Sequence, residues 1–358
     1  MKLLYITNGI NGSGGLERVL SVKASYLAEH YNYEVSILVL NNAHQNLFYK
    51  FSDKVKLYSI KVGGNPIQYA KSYKKGIQNI LNKIQPDIIS VCDDGLKGFF
   101  IPQFLKTKAK LIYERHASVQ LNTNQSLKGK IMRFVMQNQV IKFDKFVVLT
   151  NSNKKEWNNA PNVIAIPNPL SFYPKESSLL NTKNIIAVGS HSYNKGYDML
   201  LKVWKNVLKS HPDWTLNIFG KIDTEKTFVT LVNNLNIKNV QFHEPVQEIQ
   251  KEFLKSSVMV LPSRSEGFGM VLIEAMACGV PCVAFDCPSG PADIIKNNID
   301  GFLIENQNQE IFTEKLLELI EDENKRLEFG KKAKENVQEF LPKAIVQQWH
   351  KLFKDLVK

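Results

Sequence analysis

The 358-residue chain has no stretch approaching 18 consecutive apolar residues. Its first apolar run, Leu3 to Ile6, is broken by Thr7 and Asn8 before it could form the core of a signal peptide. These two absences exclude a spanning helix and lead us to expect a chain that stays in the cytosol. Cysteine is scarce. Cys92, Cys278, Cys282 and Cys287 are too few for a disulfide framework and sit mostly among apolar neighbours, so they read as reduced, buried thiols. The spacing of the last three matches no zinc pattern and no His lies near them. There is no Asp-x-Asp metal motif, no internal repeat and no low-complexity tract. Gly12-x-Gly14-Gly15 also falls short of a dinucleotide fingerprint, because Glu17 stands three positions beyond Gly14, which argues against an NAD dehydrogenase.

What is present is the balance of an ordinary globular protein. Hydrophobic residues make up 44% and charged residues 22%, which rules out disordered and collagenous classes. At about 150 residues per domain, the length predicts two domains, each able to bury its own core. The net charge of +12 is unevenly placed: residues 1–170 hold 23 Lys plus Arg against 10 Asp plus Glu, while residues 171–358 hold 23 against 24. Such asymmetry points to an anionic partner for the first half, nucleic acid or an acidic membrane surface, or to no more than a Lys-rich soluble surface. The absence of interleaved aromatic platforms or a recognisable module argues against nucleic acid.

Short β-branched runs alternate with helical-period segments nearly from end to end, the pattern of a parallel α/β protein. Strands are predicted over 2–7, 35–39, 88–91, 111–113 and 146–149, then over 185–188, 215–219, 240–242, 258–261 and 282–285. The Pro-punctuated stretch from Ile166 to Pro174 reads as a linker between two doubly wound sheets. We therefore expect domains over 1–170 and 171–341, with 342–358 as a closing helix whose apolar face is Ile345, Trp349, Leu352, Phe353 and Leu356. Doubly wound sheets bind ligands at the carboxyl ends of their strands, so the default site is an interdomain cleft.

One segment carries most of the functional inference. After the predicted strand 258–261 come Pro262-Ser263-Arg264-Ser265-Glu266-Gly267-Phe268-Gly269 and then a helix from Met270, closed by Gly279 and Pro281. The N–H groups of Gly269, Met270 and Val271 would project from a helix N-terminus, where the dipole favours an anion such as a diphosphate. Glu266 in the loop and Glu274 inside the helix can accept from paired hydroxyls, Glu266 from a sugar and Glu274 from a ribose. A Glu early in a helix is by itself usually a dipole partner, so the combination matters more than either residue. Lys195 precedes Gly196 at a predicted helix start; a cation there opposes the dipole, and a phosphate would resolve the conflict.

The run from Pro262 to Pro281 resembles the Glu-x7-Glu signature of the family 4 retaining glycosyltransferases. Asn11-Gly12-Ser13-Gly14-Gly15-Leu16-Glu17-Arg18, Asn194-Lys195-Gly196-Tyr197-Asp198 and Asp300-Gly301-Phe302-Leu303 resemble that family in the same order, the last as a turn. The resemblance implies the glycosyltransferase B fold of two facing Rossmann-like domains, with the last helix crossing back onto the first domain. It implies that the loop at Gly14 and Gly15 lies against donor phosphates and acceptor, and that His116, after the predicted strand 111–113, touches the transferred sugar. Where the family commonly has an Arg five residues before the Lys, this sequence has Ser190, so Ser190, His191 and Arg264 are the candidates to donate in its place.

The expected activity is retaining transfer of a hexose-type sugar from a nucleoside diphosphate, UDP by resemblance, to a glycan or polyprenyl-linked glycan, without a metal cofactor. The alternatives are a nucleotide-sugar epimerase of the same fold and a non-enzymatic nucleotide-sugar binding module. The segment from Ser126 to Phe143 combines Leu127, Ile131, Phe134, Val135 and Met136 with Lys128, Lys130, Arg133 and Lys142. A helix facing the core would show the same period, but Phe99, Phe100, Phe104, Lys106, Lys108 and Lys110 before it and the nearly neutral second half lead us to expect that this segment lies on an anionic membrane.

Overall fold

A computed structural model describes residues 1–119, 123, 126–158 and 160–358. The chain divides into two compact units, Met1–Ser171 together with Pro342–Lys358, and Phe172–Leu341. Among the described residues the first unit holds one parallel sheet of β1 (Lys2–Thr7), β2 (Glu34–Leu40), β3 (Lys56–Ile60), β4 (Ile88–Cys92), β5 (Lys110–Glu114), β6 (Lys145–Val148) and β7 (Val163–Ala165), in the order β3-β2-β1-β4-β5-β6-β7. The second holds β8 (Asn184–Val188), β9 (Thr215–Phe219), β10 (Val240–His243), β11 (Val258–Leu261), β12 (Cys282–Asp286) and β13 (Gly301–Glu305), in the order β10-β9-β8-β11-β12-β13.

The composition of the strands explains this arrangement. β4 reads Ile-Ile-Ser-Val-Cys and is buried along its whole length, as expected of a strand covered by helices on both faces. Pairing of Leu3 with both Val35 and Ile88 makes β1 an interior strand, between β2 and β4. Each unit has its own core: Leu38, Tyr73, Phe99 and Trp157 belong to one cluster in the first, and Trp204, Ile218, Phe285 and Phe312 to one in the second. The strands not anticipated are β3, β7 and β13, all at sheet edges, and β3 and β13 keep half-exposed residues among their buried ones. The stretch at Asp300 is therefore a turn only at its first residue. Asp300 is buried, accepting from the Lys296 N–H at 2.8 Å and from Asn336 Nδ2 at 2.8 Å, and Gly301 already begins β13.

The closing helix Pro342–Val357 packs against the helix Gly15–His30 within the first unit and buries Ile345, Val346, Trp349 and Phe353. His350 stacks on Tyr31 at 4.1 Å between ring centroids, and its Nδ1 lies 3.0 Å from the Tyr33 hydroxyl. All four cysteines are free and buried. Among the described residues no helix is long and apolar enough to cross a membrane.

The segment considered for an interface forms a helix over Leu127–Val140, its N–H groups capped by Ser126 Oγ accepting from Gly129 at 3.1 Å. Leu127, Ile131, Phe134 and Ile141 are 76%, 56%, 66% and 67% exposed, while Met136 and Val140 turn into the core. The spacing of four and three puts the exposed residues along one face. Phe99 does not join this surface. It packs against Tyr113, Phe146 and Trp157, because a ring one residue ahead of Phe100 in a tight turn points the other way.

Candidate active site

In each sheet the strand order reverses once, between β8 and β11 in the second unit and between β1 and β4 in the first. Such reversal points open a crevice at the carboxyl ends of the strands. The residues singled out in the sequence collect at these two places.

At the second unit's reversal point, β8 is followed by Gly189-Ser190 and β11 by Pro262-Ser263. The segment Tyr193–Lys195 forms one 3-10 turn, and Gly196, at φ 67°, carries the chain into the helix Tyr197–Val207. A Cβ on Gly196 would stand 2.0 Å from the Pro262 carbonyl oxygen, so only glycine lets the two loops meet here. Their meeting is fixed by the Arg264 N–H donating to Asn194 O at 2.7 Å. It delivers Lys195 Nζ to 2.7 Å from Glu266 Oε1, which also accepts from Ser263 Oγ at 2.6 Å. Both ends of the pair remain partly solvent-accessible.

The cation predicted to need a phosphate thus already has a carboxylate partner. Arg264 is paired as well. Its guanidinium forks onto Asp198 with contacts of 2.9 and 2.7 Å, donates to Tyr193 O at 2.7 Å, and lies 4.0 Å from the Tyr193 ring centroid. Burial works to raise the Asp198 carboxyl, but the Arg264 fork outweighs it and holds the group below its ordinary range. Arg264 therefore ties the two loops together, and its fork is committed to Asp198. His191 is buried, with Nδ1 3.7 Å from an Asp223 oxygen, and burial lowers its affinity for a proton. Of the three candidates to replace the missing Arg, Ser190 alone is exposed.

The helix Met270–Ala277 begins at Gly269, with φ 98°, and has no acidic residue in its first turn, so its dipole is left for an external anion. Met270 and Val271 are half-exposed there, whereas Glu274 is 1% exposed and lies on the inner side of the helix.

At the first unit's reversal point a cavity of about 490 Å³ is lined by Thr7, Asn8, Gly15, Glu17, Cys92 and Asp94, among others. Gly14 caps the helix Gly15–His30 in extended geometry, and the Glu17 carboxylate folds back so closely that a Cβ on Gly14 would stand 2.6 Å from it. Gly12 and Gly14 thus leave room for the Glu17 side chain of the helix that follows them. Burial raises the Glu17 carboxyl, against its own backbone N–H and the His116 charge, which lower it.

His116 follows β5 and turns inward, its side chain 6% exposed, with Nε2 3.3 Å from Glu114 Oε2. Its backbone N–H donates to Asp94 Oδ1 at 2.9 Å, and that of Ala117 donates to the same oxygen at 3.2 Å. Glu114 is fully buried, accepts from Ser90 Oγ at 2.6 Å and forms an ion pair with Lys23. Burial would push its carboxyl up; Lys23 and the His116 contact prevail and hold it at about 2. Cys92, Glu114 and His116 each place one atom of ligand type within 4.8 Å of the others. The group does not fit a cation: Lys23 already neutralises Glu114, and burial drives the Cys92 thiol far from its thiolate form.

Sequence reasoning did not assign Lys23, Glu114, Asp198 or Ser263. The first two were legible only as charges inside apolar segments, and their partners stand tens of residues away.

Comparison with known proteins agrees with this layout. Residues 172–336 match the family described as glycosyl transferases group 1. The chain is 30% identical over 364 residues to the amylovoran biosynthesis glycosyltransferase AmsD of Erwinia amylovora, covering 98% of each chain. It is 27% identical over 366 residues, 99% of each chain, to a Campylobacter jejuni alpha-1,4-N-acetyl-D-galactosaminyltransferase whose name specifies a PP-undecaprenol-linked sugar chain. A TarM variant of Staphylococcus aureus, crystallised with Fondaparinux, alpha-GlcNAc-glycerol and UDP, superposes with a TM-score of 0.82 at 17% identity over 99% of this chain and 100% of that one. With kinship of that extent running through both units, the chain belongs to the group 1 glycosyl transferases and is a glycosyltransferase of glycan or polysaccharide biosynthesis with the glycosyltransferase B fold.

Proposed function

We propose that the protein is a family 4 enzyme that transfers a hexose-type sugar, with retention and without a metal, from a nucleoside diphosphate to a glycan carried on a lipid. The observation that carries this reading is the pairing of Lys195 with Glu266 beside a helix start that has no acidic residue in its first turn. A donor diphosphate takes its place on the N–H groups of Gly269, Met270 and Val271, with the Lys195 ammonium beside it and Ser190 adding a hydroxyl. The pair opens as the sugar enters: Glu266, released from Lys195, accepts from the sugar hydroxyls, and Lys195 turns to the phosphate. Glu274 holds the ribose, which reaches it once the helix shifts enough to uncover the carboxylate. UDP is the proposed nucleotide, in keeping with the UDP bound to TarM.

In the reaction the bond between the anomeric carbon and the diphosphate oxygen breaks, and the acceptor hydroxyl oxygen bonds to that carbon on the same face. Its proton passes to the departing phosphate. Negative charge grows on the diphosphate as the bond breaks, so a fixed cation and an oriented helix end stabilise the transition state more than the ground state. His116 and the cavity of the first unit are assigned to the transferred sugar and the acceptor side. No Asp-x-Asp motif occurs in the sequence, and the charge on the leaving group is met by Lys195 and the helix end instead.

The exposed stripe of Leu127, Ile131, Phe134 and Ile141, flanked by exposed Lys128, Lys130, Arg133 and Lys142, supports attachment to an anionic membrane, where a polyprenyl-linked acceptor resides. The experiment for the activity is a screen of UDP, GDP and ADP sugars by thermal shift, followed by NMR of the product made with the donor that binds. We expect the donor's anomeric configuration to be kept and turnover to survive excess EDTA. An inverted linkage, or loss of turnover restored by magnesium or manganese, overturns the corresponding part of the reading.

A further inference from the structure

The closing helix reaches into the first unit's site through a buried cation. Lys23, 1% exposed in the middle of the helix Gly15–His30, has its ammonium 4.0 Å from the centroid of the Trp349 ring and 5.1 Å from that of Tyr5. On its other side it pairs with Glu114, which Ser90 holds from β4 and which lies 3.3 Å from His116. A buried ammonium is costly unless both its charge and its donors are met, and here a carboxylate and an aromatic face do so from opposite elements.

We propose that Lys23 is a positioning residue for sugar transfer: clamped between Trp349 and Glu114, it fixes the carboxylate that orients His116, and so makes the closing helix part of the catalytic apparatus. The claim rests on the role assigned to His116 above. The groups facing His116 are Glu114 from β5, Cys92 from β4, Glu17 from the opening helix and Asp94, whose carboxylate holds the His116 backbone. Lys23 lies against Glu114 and supplies the positive charge that balances that carboxylate. Its removal leaves the Glu114 charge to His116 alone, which favours the imidazolium, a ring that has lost its acceptor nitrogen.

The test compares the full-length protein with Lys23→Met, Trp349→Phe and Trp349→Leu. In Lys23→Met, we expect the imidazole 15N resonances of His116 to move toward the imidazolium pattern at neutral pH. The acid limb of the kcat profile should move to higher pH, and kcat should fall at least tenfold with the donor KM within twofold. Trp349→Phe keeps an aromatic face and should stay within twofold of wild type, whereas Trp349→Leu, of similar hydrophobicity, should lose about threefold in kcat. Should Lys23→Met fail to fold, Lys23→Met/Glu114→Gln removes both charges and spares the unpaired buried carboxylate. It should fold and, lacking the carboxylate that orients His116, still lose kcat, now without the shift of the acid limb. An unchanged His116 spectrum in Lys23→Met, equal kcat in the two Trp349 variants, or full activity in the double variant overturns the proposal. If the wild-type chain transfers no sugar from any donor, the proposed function fails, while the 15N comparison still decides the linkage from Lys23 to His116.

Discussion

Lys195, just before the helix Tyr197–Val207, and Glu274, inside the helix Met270–Ala277, should fail in different ways when replaced. The Lys195 ammonium is partly exposed and meets a charge that grows as the sugar leaves. Removing such a group costs on the order of 10²-fold in kcat, roughly 2.7 kcal/mol. We therefore expect Lys195→Ala to lower kcat by about that factor in steady-state assays, with near wild-type turnover at saturating donor as the contrary result. Glu274 is buried and, on our reading, binds the ribose equally before and during the reaction. Glu274→Ala should raise the donor KM by about tenfold with a smaller change in kcat, as expected for uniform binding. Donor affinity unchanged by calorimetry would remove Glu274 from the ribose.

Two loops from separate strands build the second unit's site, and Gly196 is where they touch. Alanine there must adopt φ 67° and place a Cβ 2.0 Å from the Pro262 oxygen, so the helix Tyr197–Val207 has to move away from the loop after β11. Left-handed geometry alone costs a non-glycine residue about 1–2 kcal/mol, and the clash adds to it. For a unit of this size, Gly196→Ala should lower the melting temperature by roughly 4–8 °C. It should also reduce kcat, since Lys195 is the neighbouring residue. Melting within a degree of wild type in calorimetry would show that the loops are not held as described.

For the molecule as a whole, the charge of the first half acquires a location in the helix Leu127–Val140. Four exposed cations flank its exposed apolar stripe, and each contributes on the order of 1 kcal/mol near an acidic leaflet. The chain should float with vesicles that contain anionic lipid at low salt, float much less at high salt, and remain behind with neutral vesicles. Ile131→Ser/Phe134→Ser should abolish flotation without loss of stability, because both side chains already face solvent. Equal recovery with neutral and acidic vesicles, or none with either, would reduce the basic half to a solubility feature and favour a soluble acceptor.

Local pattern was enough to read the central strands, the closing helix and the loop from Pro262 to Gly269, because a strand buried on both faces is apolar throughout and a Gly-rich loop between such a strand and an apolar run marks a helix start. Of the four edge strands only β10 was read; β3, β7 and β13 escaped notice because solvent on one side relaxes the demand for apolar residues. Residue type also marked out Glu266, Lys195 and His116. What each of them touches was decided by the fold, since pairs such as Lys195 with Glu266, Arg264 with Asp198 and Lys23 with Glu114 join residues 71, 66 and 91 positions apart. Likewise, the period of the helix Leu127–Val140 is the same whether its apolar face meets core or water. Only the packing of Met136 and Val140 against the sheet showed that Leu127, Ile131 and Phe134 are the face left outside.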